Sequence, residues 1–453
     1  MTTDHAIVVG AGIAGLLAAR VLRDNFDRVT IVERDRLPAE PVPRPGVPQG
    51  RQANALMAKG RAVIEELCPG FTARLTDAGT QTLDTCRDVR LCLDTGLAPV
   101  TQPGPPLQPS SRPLLETTLR SLVTAAANVA VVDGQTVTGL STDGAPLRVT
   151  GVRLRSGDRL AADLVVDASG RSSHLRDWLT EQGAPRVPET VIAAGNACTT
   201  RFYYAPEMPA EWRGFVAAQQ VPHLPLGVYI LPVEHDRVVI GLYSAKGHAP
   251  RTDDGFTQAV LGLHELCADL LEPLRPLTRP VRYGHCANRM VHYDRARWWP
   301  DGLITLGDAV CTLNPVYAQG ITTAALQARA LRNILADNST RHRTRSYQRL
   351  ARRELAWPWL LATSADQEWI HHADPESNPR RGLPDRLANW YVARWREHVP
   401  TNPYLYREFA KMMHMMIGPA SLSRPGLVIR ILRRPPVCGQ VVNPRVPRSR
   451  SGD

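Results

Sequence analysis

The sequence has 453 residues, of which 43% are hydrophobic, and a formal net charge of +11 at pH 7. A chain of this length and composition can form two or three packed domains and is not intrinsically disordered. Its apolar runs fall short of the roughly 18–20 residues that a membrane-spanning helix needs, and its scattered arginines accompany no nucleic-acid-binding motif. We therefore expect a globular protein with no stable membrane insertion and no nucleic-acid partner.

The N-terminus and the cysteines indicate the compartment. The segment MTTDH leads directly into the strand-like AIVV, so the basic start and cleavage site of a signal peptide are missing. The eight cysteines show no C-x-x-C pair and no spacing typical of zinc ligands. These features predict a cytoplasmic protein with reduced, mostly buried thiols and no bound metal.

The first predicted elements form a dinucleotide-binding unit. In AIVVGAGIAGLLAARVL (residues 6–22), a strand-like run is followed by G-x-G-x-x-G and a helix. Gly10 makes the tight turn, Gly12 lets the backbone approach a pyrophosphate, and Gly15 allows the helix to pack closely on the strand. A second strand, RVTIVERD, ends in Glu33, which is placed to bind ribose hydroxyls. These two parts predict a bound dinucleotide and leave NAD and FAD open.

Two later segments favour FAD. DLVVDASG (163–170) and DGLITLGDAVCTLNPVYAQG (301–320) each read as a strand that ends in a polar turn. Three such segments spread along the chain resemble the FAD-binding domain of the p-hydroxybenzoate hydroxylase-like flavoproteins. The resemblance implies that Asp308 binds the ribityl chain, that Asp167 lies near the pyrophosphate, and that Arg112, which starts the helix of SRPLLETTLR, lies beside the flavin.

The last of these segments leads into a predicted helix that starts at Gly320. A reduced flavin carries negative charge, and the N–H groups at a helix N-terminus stabilise such charge. Pro315 stiffens the loop before the helix. The resemblance assigns further residues to the FAD site: Ala14, Arg34, Arg44, Gln49, Ala318 and Ile321.

A closer resemblance involves RPGVPQGRQANALMAKG (44–60). It is similar to the R-x-G-V-P-Q-x-R-H-x-H-x-L stretch of a bacterial secondary-metabolism branch that includes polyether epoxidases. Gln52 and Asn54 stand where that branch has histidines, and Ala318 stands where it has the glycine of P-x-x-G-x-G. This branch implies a monooxygenase, an epoxidase or hydroxylase acting on a hydrophobic polyketide-type intermediate, with NADPH or a separate flavin reductase as the electron source.

An alternative function comes from the same branch. Its relatives in spirotetronate and spirotetramate pathways resemble cyclases that form a decalin by a [4+2] cycloaddition, with FAD in a non-redox role. A pocket that only folds a polyene needs shape more than acid–base groups. Both functions therefore stay open, and the sequence singles out no catalytic residue.

Two other motifs are set aside. WPWL (357–360) lacks the isoleucine and proline of the halogenase W-x-W-x-I-P motif, so its tryptophans are interpreted as core or pocket aromatics. His371, His372, Asp374 and Glu376 have no standard metal spacing, which favours a surface turn.

The predicted fold is α/β, with an interrupted Rossmann-like FAD-binding domain at 1–190 and 285–345. We expect a β-sheet substrate domain at 191–284, a helical cap at 346–435 and a flexible basic tail at 436–453. Candidate pocket residues from the sheet are Arg201, Tyr203 and Tyr229. The oligomeric state is left open.

Overall fold

The structure is a computed structural model that describes residues 4–144, 147–205, 208, 212–221, 223–245, 249–296, 298–337, 343–373 and 383–434. The strands are β1 (His5–Val9), β2 (Arg28–Val32), β3 (Ala55–Leu56), β4 (Leu83–Asp84), β5 (Val89–Leu93), β6 (Gly96–Leu97), β7 (Pro106–Pro109), β8 (Val129–Val132), β9 (Val137–Asp143), β10 (Arg148–Leu154), β11 (Arg159–Ala161), β12 (Leu164–Asp167), β13 (Glu189–Ile192), β14 (Ala197–Tyr204), β15 (Gly214–Ala217), β16 (Leu226–Val233), β17 (Arg237–Ser244), β18 (Arg275–Pro276), β19 (Val281–Tyr283), β20 (Asn288–Val291), β21 (Leu303–Thr305) and β22 (Cys311–Thr312). The α-helices are α1 (Ile13–Leu22), α2 (Ala58–Leu67), α3 (Phe71–Asp77), α4 (Arg112–Thr124), α5 (Leu175–Glu181), α6 (Asp253–Leu261), α7 (Glu265–Leu271), α8 (Gly320–Ala336), α9 (Arg343–Ala373), α10 (Leu383–His398), α11 (Pro403–Met413), α12 (Pro419–Leu422) and α13 (Pro425–Leu432).

A five-stranded parallel sheet forms the centre of the first layer. Its strand order is β21-β12-β1-β2-β8, with β1 paired to β2 on one side and to β12 on the other. The strands are apolar on both faces, as expected for a parallel sheet covered by helices. Helices α1, α2, α4 and α8 pack on one face and share a continuous hydrophobic core with it. The predicted α/β fold with a Rossmann-like dinucleotide domain is thereby confirmed.

An eight-stranded sheet forms the second layer. Its order is β18-β14-β17-β16-β15-β5-β6, with β19 paired to β14. Its pairs are antiparallel except for β15 with β5. One face packs on α6 and α7 through residues such as Phe215, Phe256 and Cys267. The sheet thus also includes 89–97, which precede the 191–284 predicted for the substrate domain.

A small sheet, β13-β20-β22, joins the two layers beside the loop that follows β21. In β20 and β22, Arg289 lies opposite Thr312 and Met290 opposite Cys311. The chain therefore passes from the second layer back to the parallel sheet through β20. This return places the loop after β21 between the layers.

The C-terminal part is helical, as predicted. Helix α9 is 31 residues long and includes Pro358. Trp357 and Trp359 on α9 are partly buried and pack against two different hydrophobic clusters. His371 and His372 lie in the last turn of α9 and are exposed, whereas Asp374 and Glu376 lie outside the described residues, as does the predicted tail at 436–453. No helix among the described ranges is long and apolar enough to cross a membrane.

Candidate functional site

A cavity of about 930 Å³ opens where the carboxyl ends of β1, β2 and β12 face the antiparallel sheet. This volume lies near the upper end of the roughly 300–1,000 Å³ that is typical of small-molecule sites. Its position also follows the rule that ligands of open α/β sheets bind beyond the carboxyl ends of the strands. The cavity is therefore the candidate binding site.

The predicted cofactor residues converge on this cavity from distant parts of the chain. Its wall includes the following predicted residues: Gly10, Gly12, Ala14, Glu33, Arg34, Arg44, Gln49, Arg112, Asp308, Pro315, Ala318, Gly320 and Ile321. Gly15 and Asp167 lie outside the wall. The roles of all these residues toward FAD stay predictions.

The turn between β1 and α1 depends on glycine at two positions. Gly10 has φ +103°, and a Cβ there would come within 2.6 Å of the Ala168 carbonyl oxygen. A Cβ on Gly15 would collide with the carbonyl oxygen of Gly10. Gly15 therefore acts by letting α1 approach β1, which explains its place outside the cavity wall.

Two helix N-termini face the cavity without capping side chains. Helix α1 begins after Gly12, and α8 begins at Gly320 after Gln319; neither helix has a side-chain cap or an acidic residue in its first turn. Elsewhere, side chains cap α4 through Ser111 and α11 through Asn402. The free N–H groups of α1 and α8 are suited to bind anionic groups, such as a pyrophosphate or a reduced flavin.

Glu33 holds the glycine turn that precedes α1. Its Oε2 accepts a hydrogen bond from the Ala11 N–H at 2.7 Å, and its Oε1 accepts one from the Asp35 N–H at 3.0 Å. The side chain is buried and contacts Arg44, with 3.2 Å between Oε1 and Nη1. Glu33 is thereby fixed at the end of β2, where the dinucleotide motif requires a ribose-binding carboxylate.

Arg44 is buried among three carboxylates. It lies 2.8 Å from Asp35 and 3.2 Å from Glu116, in addition to its contact with Glu33. Burial alone would lower the pKa of Arg44, but the charges of Glu116, Glu33 and Asp35 outweigh it and raise the pKa. Glu116 also pairs with Arg112 at 2.7 Å. This network connects α4 to the loop after β2 and orients two of the predicted arginines.

Asp167 organises the turn after β12 instead of lining the cavity. Its carboxylate accepts hydrogen bonds from the N–H and the hydroxyl of Ser169, at 3.0 and 2.5 Å, and from the hydroxyl of Ser173 at 2.5 Å. Burial raises the pKa of Asp167, against these hydrogen bonds. The turn that it holds presents 168–172 to the cavity, including Arg171.

Asp308 is half-buried and faces the cavity at the end of β21. Burial raises its pKa, and the positive charges of Arg112 and Arg171 act in the opposite direction. The preceding Gly307 N–H donates to Gln327 Oε1 of α8 at 3.2 Å, which ties this turn to the helix. A carboxylate between two arginines and close to two free helix N-termini fits the polar middle of a dinucleotide.

Residues 314–318, here named the 314–318 loop, lead from Asp308 toward α8. Ala318 lies in the left-handed region at φ +52° and ψ +26°. An alanine in this conformation costs roughly 1–2 kcal/mol, whereas a glycine adopts it freely. The loop therefore has a conformation that favours glycine at position 318.

Asp366 of α9 holds the 314–318 loop in place, a role that was not predicted from the sequence. Its carboxylate accepts hydrogen bonds from the Tyr317 hydroxyl at 2.8 Å and from the Asn314 amide at 3.1 Å. It also accepts from the amides of Asn196 at 3.0 Å and Asn288 at 2.6 Å. Burial raises the pKa of Asp366, while these four donors lower it. The available signal was a carboxylate at helical spacing from Ala362 and Trp369, on the face of α9 that these residues bury.

The end of the cavity next to the antiparallel sheet is more apolar. Its wall includes Tyr229, Tyr283, Cys198, Leu313 and Ala53. The ring of Tyr229 stacks on that of Tyr243, with 5.0 Å between centroids. Of the candidate pocket residues from the sheet, only Tyr229 lies in the wall, because Tyr203 is buried in the sheet core and Arg201 pairs with Asp253 at 3.2 Å.

Gln52 and Asn54 also line this end, and their amides bind the protein. Gln52 Nε2 donates to the Val281 carbonyl at 3.1 Å, and its Oε1 accepts from the Thr200 hydroxyl at 2.8 Å. Asn54 Nδ2 donates to the Gln52 carbonyl at 2.8 Å. Gln52 thus joins the 44–60 segment to the antiparallel sheet, Asn54 holds the segment itself together, and neither side chain has a titratable group.

Most of the chain matches a known protein family. Residues 3–354 match the family described as FAD binding domain. Protein Rv3254 of Mycobacterium tuberculosis is 32% identical to this chain over 456 aligned positions, which cover 91% of this chain and 95% of that protein. The chain therefore belongs to the FAD binding domain family, and the predicted relation to the p-hydroxybenzoate hydroxylase-like flavoproteins is confirmed.

Solved structures share the fold. The flavin-dependent brominase Bmp2 has a TM-score of 0.65 and 15% identity, over 94% of this chain and 98% of that one. PqsL, a probable FAD-dependent monooxygenase from Pseudomonas aeruginosa, has a TM-score of 0.57 and 18% identity, over 82% of this chain and 100% of that one. At these identities the likeness concerns the fold alone.

Proposed function

We propose, from this family membership and the cavity, that the chain is an FAD-dependent monooxygenase acting on a hydrophobic substrate. The observation that carries the proposal is that one cavity combines a nucleotide-type half with an apolar half. Free helix N-termini, Glu33 and Asp308 line the first half, and Tyr229, Tyr283 and Leu313 line the second. A substrate held against the apolar wall would lie next to the cofactor.

The residues present fit FAD. Glu33 would bind the ribose, the N–H groups of α1 the pyrophosphate, and Asp308 the ribityl hydroxyls. The N-terminus of α8 would hold negative charge on the ring, because its N–H groups have no competing cap. The chemistry supplied by reduced FAD, when bound, is the activation of dioxygen for transfer of one oxygen atom.

The protein's own contribution is to bind and orient the substrate and to exclude water from the cavity. The Tyr229–Tyr243 stack and Leu313 give the substrate an apolar surface, and the 314–318 loop fixes the approach to α8. We infer an epoxidase or hydroxylase of polyketide-type intermediates, with electrons from NADPH or a separate flavin reductase. The apolar wall supports the proposal of a hydrophobic substrate, and the sequence of the 44–60 segment supports the assignment to the secondary-metabolism branch.

A [4+2] cyclase with FAD in a non-redox role is the second candidate. The observation that favours it is that Gln52 and Asn54 stand where the branch has histidines and that their amides are bonded to protein atoms, Gln52 to the antiparallel sheet and Asn54 within its own segment. Such a wall gives shape without proton transfer at these two positions, and shape is what a cycloaddition needs.

The experiment that separates the two uses the purified protein with its flavin and a linear polyene of polyketide type as substrate. A monooxygenase needs a reductant and dioxygen, and its product gains one oxygen atom. A cyclase forms an isomer of the substrate anaerobically with oxidised flavin. Isomer formation without reductant would refute the monooxygenase, and absence of bound flavin would refute both functions.

A further inference from the structure

Two thiols lie side by side at the edge of the cavity, and one of them is part of its wall. The Sγ atoms of Cys198 and Cys286 are 3.9 Å apart, and both side chains are buried. Cys198 lines the cavity beside Tyr229, and Cys286 follows His285, which lines it too. The pair therefore has one sulfur that small molecules in the cavity can reach.

Closing this pair requires one of the two cysteines to move. Cys198 is fixed within β14, where it lies opposite Tyr283 of β19. Cys286 lies after β19, in the segment 284–287 between two strands. A disulfide has an S–S length of about 2.05 Å, so the sulfurs must approach by roughly 2 Å. This movement falls to the 284–287 segment, because Cys198 is held in the β14 ladder between β17 and β19.

The surroundings of the two sulfurs differ. The hydrogen bond with Cys198 lowers the pKa of Cys286, burial opposes this, and the positive charge of Arg171 lowers it further. The same hydrogen bond and burial raise the pKa of Cys198. The pair thus holds a more acidic thiol at Cys286 next to a thiol that keeps its proton.

We propose that Cys198 and Cys286 form a peroxide-oxidisable dithiol that closes to an intramolecular disulfide in the cavity wall. The oxidant is hydrogen peroxide. It arises when a reduced flavin reacts with dioxygen without transferring oxygen to a substrate, and only this source of peroxide rests on the proposed function. The assignment of the pair itself rests on the positions of the two sulfurs.

The reaction balances as two thiols and one H₂O₂ giving one disulfide and two water molecules. Cys198 is the sulfur that peroxide in the cavity reaches, and the deprotonated Cys286 sulfur takes up the Cys198 proton as Cys198 Sγ attacks a peroxide oxygen. The O–O bond breaks, and the departing oxygen takes a proton from solvent to become water. Cys286 Sγ then attacks the sulfur of the Cys198 sulfenic acid, the S–O bond breaks, and the second oxygen leaves as water. Two electrons pass from the two sulfurs to the peroxide.

The disulfide would change the cavity wall. It draws 284–287 toward β14, and this segment includes His285, whose carbonyl accepts a hydrogen bond from Arg171 Nη1 at 2.9 Å. Arg171 lines the cavity on the side of Asp308. Oxidation of the pair would therefore move Arg171 in the polar half of the cavity as well as modify Cys198 in the apolar half.

The test measures thiols in the folded holoprotein. Reduced protein is treated in the dark with hydrogen peroxide, quenched in acid, alkylated and mapped by mass spectrometry. We expect two of the eight thiols to be lost, together with a peptide pair linked through Cys198 and Cys286. Cys198→Ala and Cys286→Ala should abolish the linked pair, and Cys267→Ala, which removes a buried thiol of α7, should leave it unchanged.

A second arm supplies reductant and air instead of peroxide, with and without catalase. Disulfide formation that catalase prevents would confirm the flavin as the peroxide source. If added peroxide closes the pair and the second arm does not, the dithiol stands and oxygen reduction by the flavin is refuted. If added peroxide leaves all thiols intact, or links either cysteine to another partner, the dithiol is refuted whatever the second arm shows.

Discussion

Replacing Asp366 with asparagine is expected to loosen the 314–318 loop and weaken FAD binding. The carboxylate accepts from Tyr317 and from the amides of Asn196, Asn288 and Asn314. Asparagine keeps one acceptor oxygen, but its NH₂ group would face another amide donor. Hydrogen bonds to a charged group contribute roughly 1.5–3 kcal/mol each.

The change in the free energy of unfolding depends on the hydrogen bonds that are lost and on the desolvation cost that is removed. At least one charge-assisted hydrogen bond disappears and one donor is left without an acceptor, whereas the desolvation of a buried charge is removed. We expect a net decrease of about 2–4 kcal/mol in the free energy of unfolding. If the displaced 314–318 loop weakens the binding free energy of FAD by roughly 1.4 kcal/mol, the Kd for FAD increases about tenfold.

The assay combines urea unfolding of the apoprotein with FAD titration followed by flavin fluorescence. The matched control is Glu65→Gln. Glu65 also accepts hydrogen bonds from two backbone N–H groups, those of Gly70 at 2.7 Å and Thr72 at 2.9 Å, but it lies outside the cavity wall. The control should lose stability and keep its FAD affinity. An Asp366→Asn variant that behaves like Glu65→Gln would refute the positioning role.

Further predictions concern Ala318, Glu33 and His414. Ala318→Gly should raise the free energy of unfolding by up to about 1 kcal/mol in urea titration, because relief of the left-handed conformation exceeds the added chain entropy of glycine; a decrease would contradict the assigned backbone geometry. Glu33→Gln should weaken FAD binding about tenfold in the same fluorescence titration, since it removes the charge on a ribose-binding carboxylate; unchanged affinity would refute that role. Burial lowers the pKa of His414 to about 4, so the unfolded chain binds more protons below pH 6.5, and stability should fall between pH 6.5 and 4. Urea unfolding at pH 7 and 5 measures this loss, which His414→Gln should reduce.

The local motifs were predictable because short-range backbone geometry fixes them. The strand, glycine turn and helix of 6–22 lie within one continuous segment, so residue type alone determines where Gly10, Gly12 and Gly15 come together. Glu33 directly follows β2, and Asp308 comes three residues after the end of β21 in the same parallel sheet. Since the carboxyl ends of parallel strands share one edge, their convergence follows from topology.

Long-range polar contacts were not predictable. Asp366 meets three asparagines from three separate segments, and amide side chains follow no periodic pattern that marks them as partners. Asp167 has the expected position in the chain, but its side chain turns to Ser169 and Ser173. The recruitment of 89–97 into the large sheet likewise depends on a parallel pairing with β15, more than a hundred residues away.

The departure at Ala318 has a structural answer that bears on the two candidate functions. Its left-handed backbone costs roughly 1–2 kcal/mol, and the hydrogen bonds that Asp366 accepts from Asn314 and Tyr317 are together large enough to hold it. The 314–318 loop thus keeps the path that a glycine would allow, so the alanine is no argument against flavin chemistry. Gln52 and Asn54 are different. Their amides stand where the similar branch has histidines, and their hydrogen bonds to the protein do not supply a group that can transfer a proton. The choice between oxygen transfer and cycloaddition therefore depends on that apolar end of the cavity.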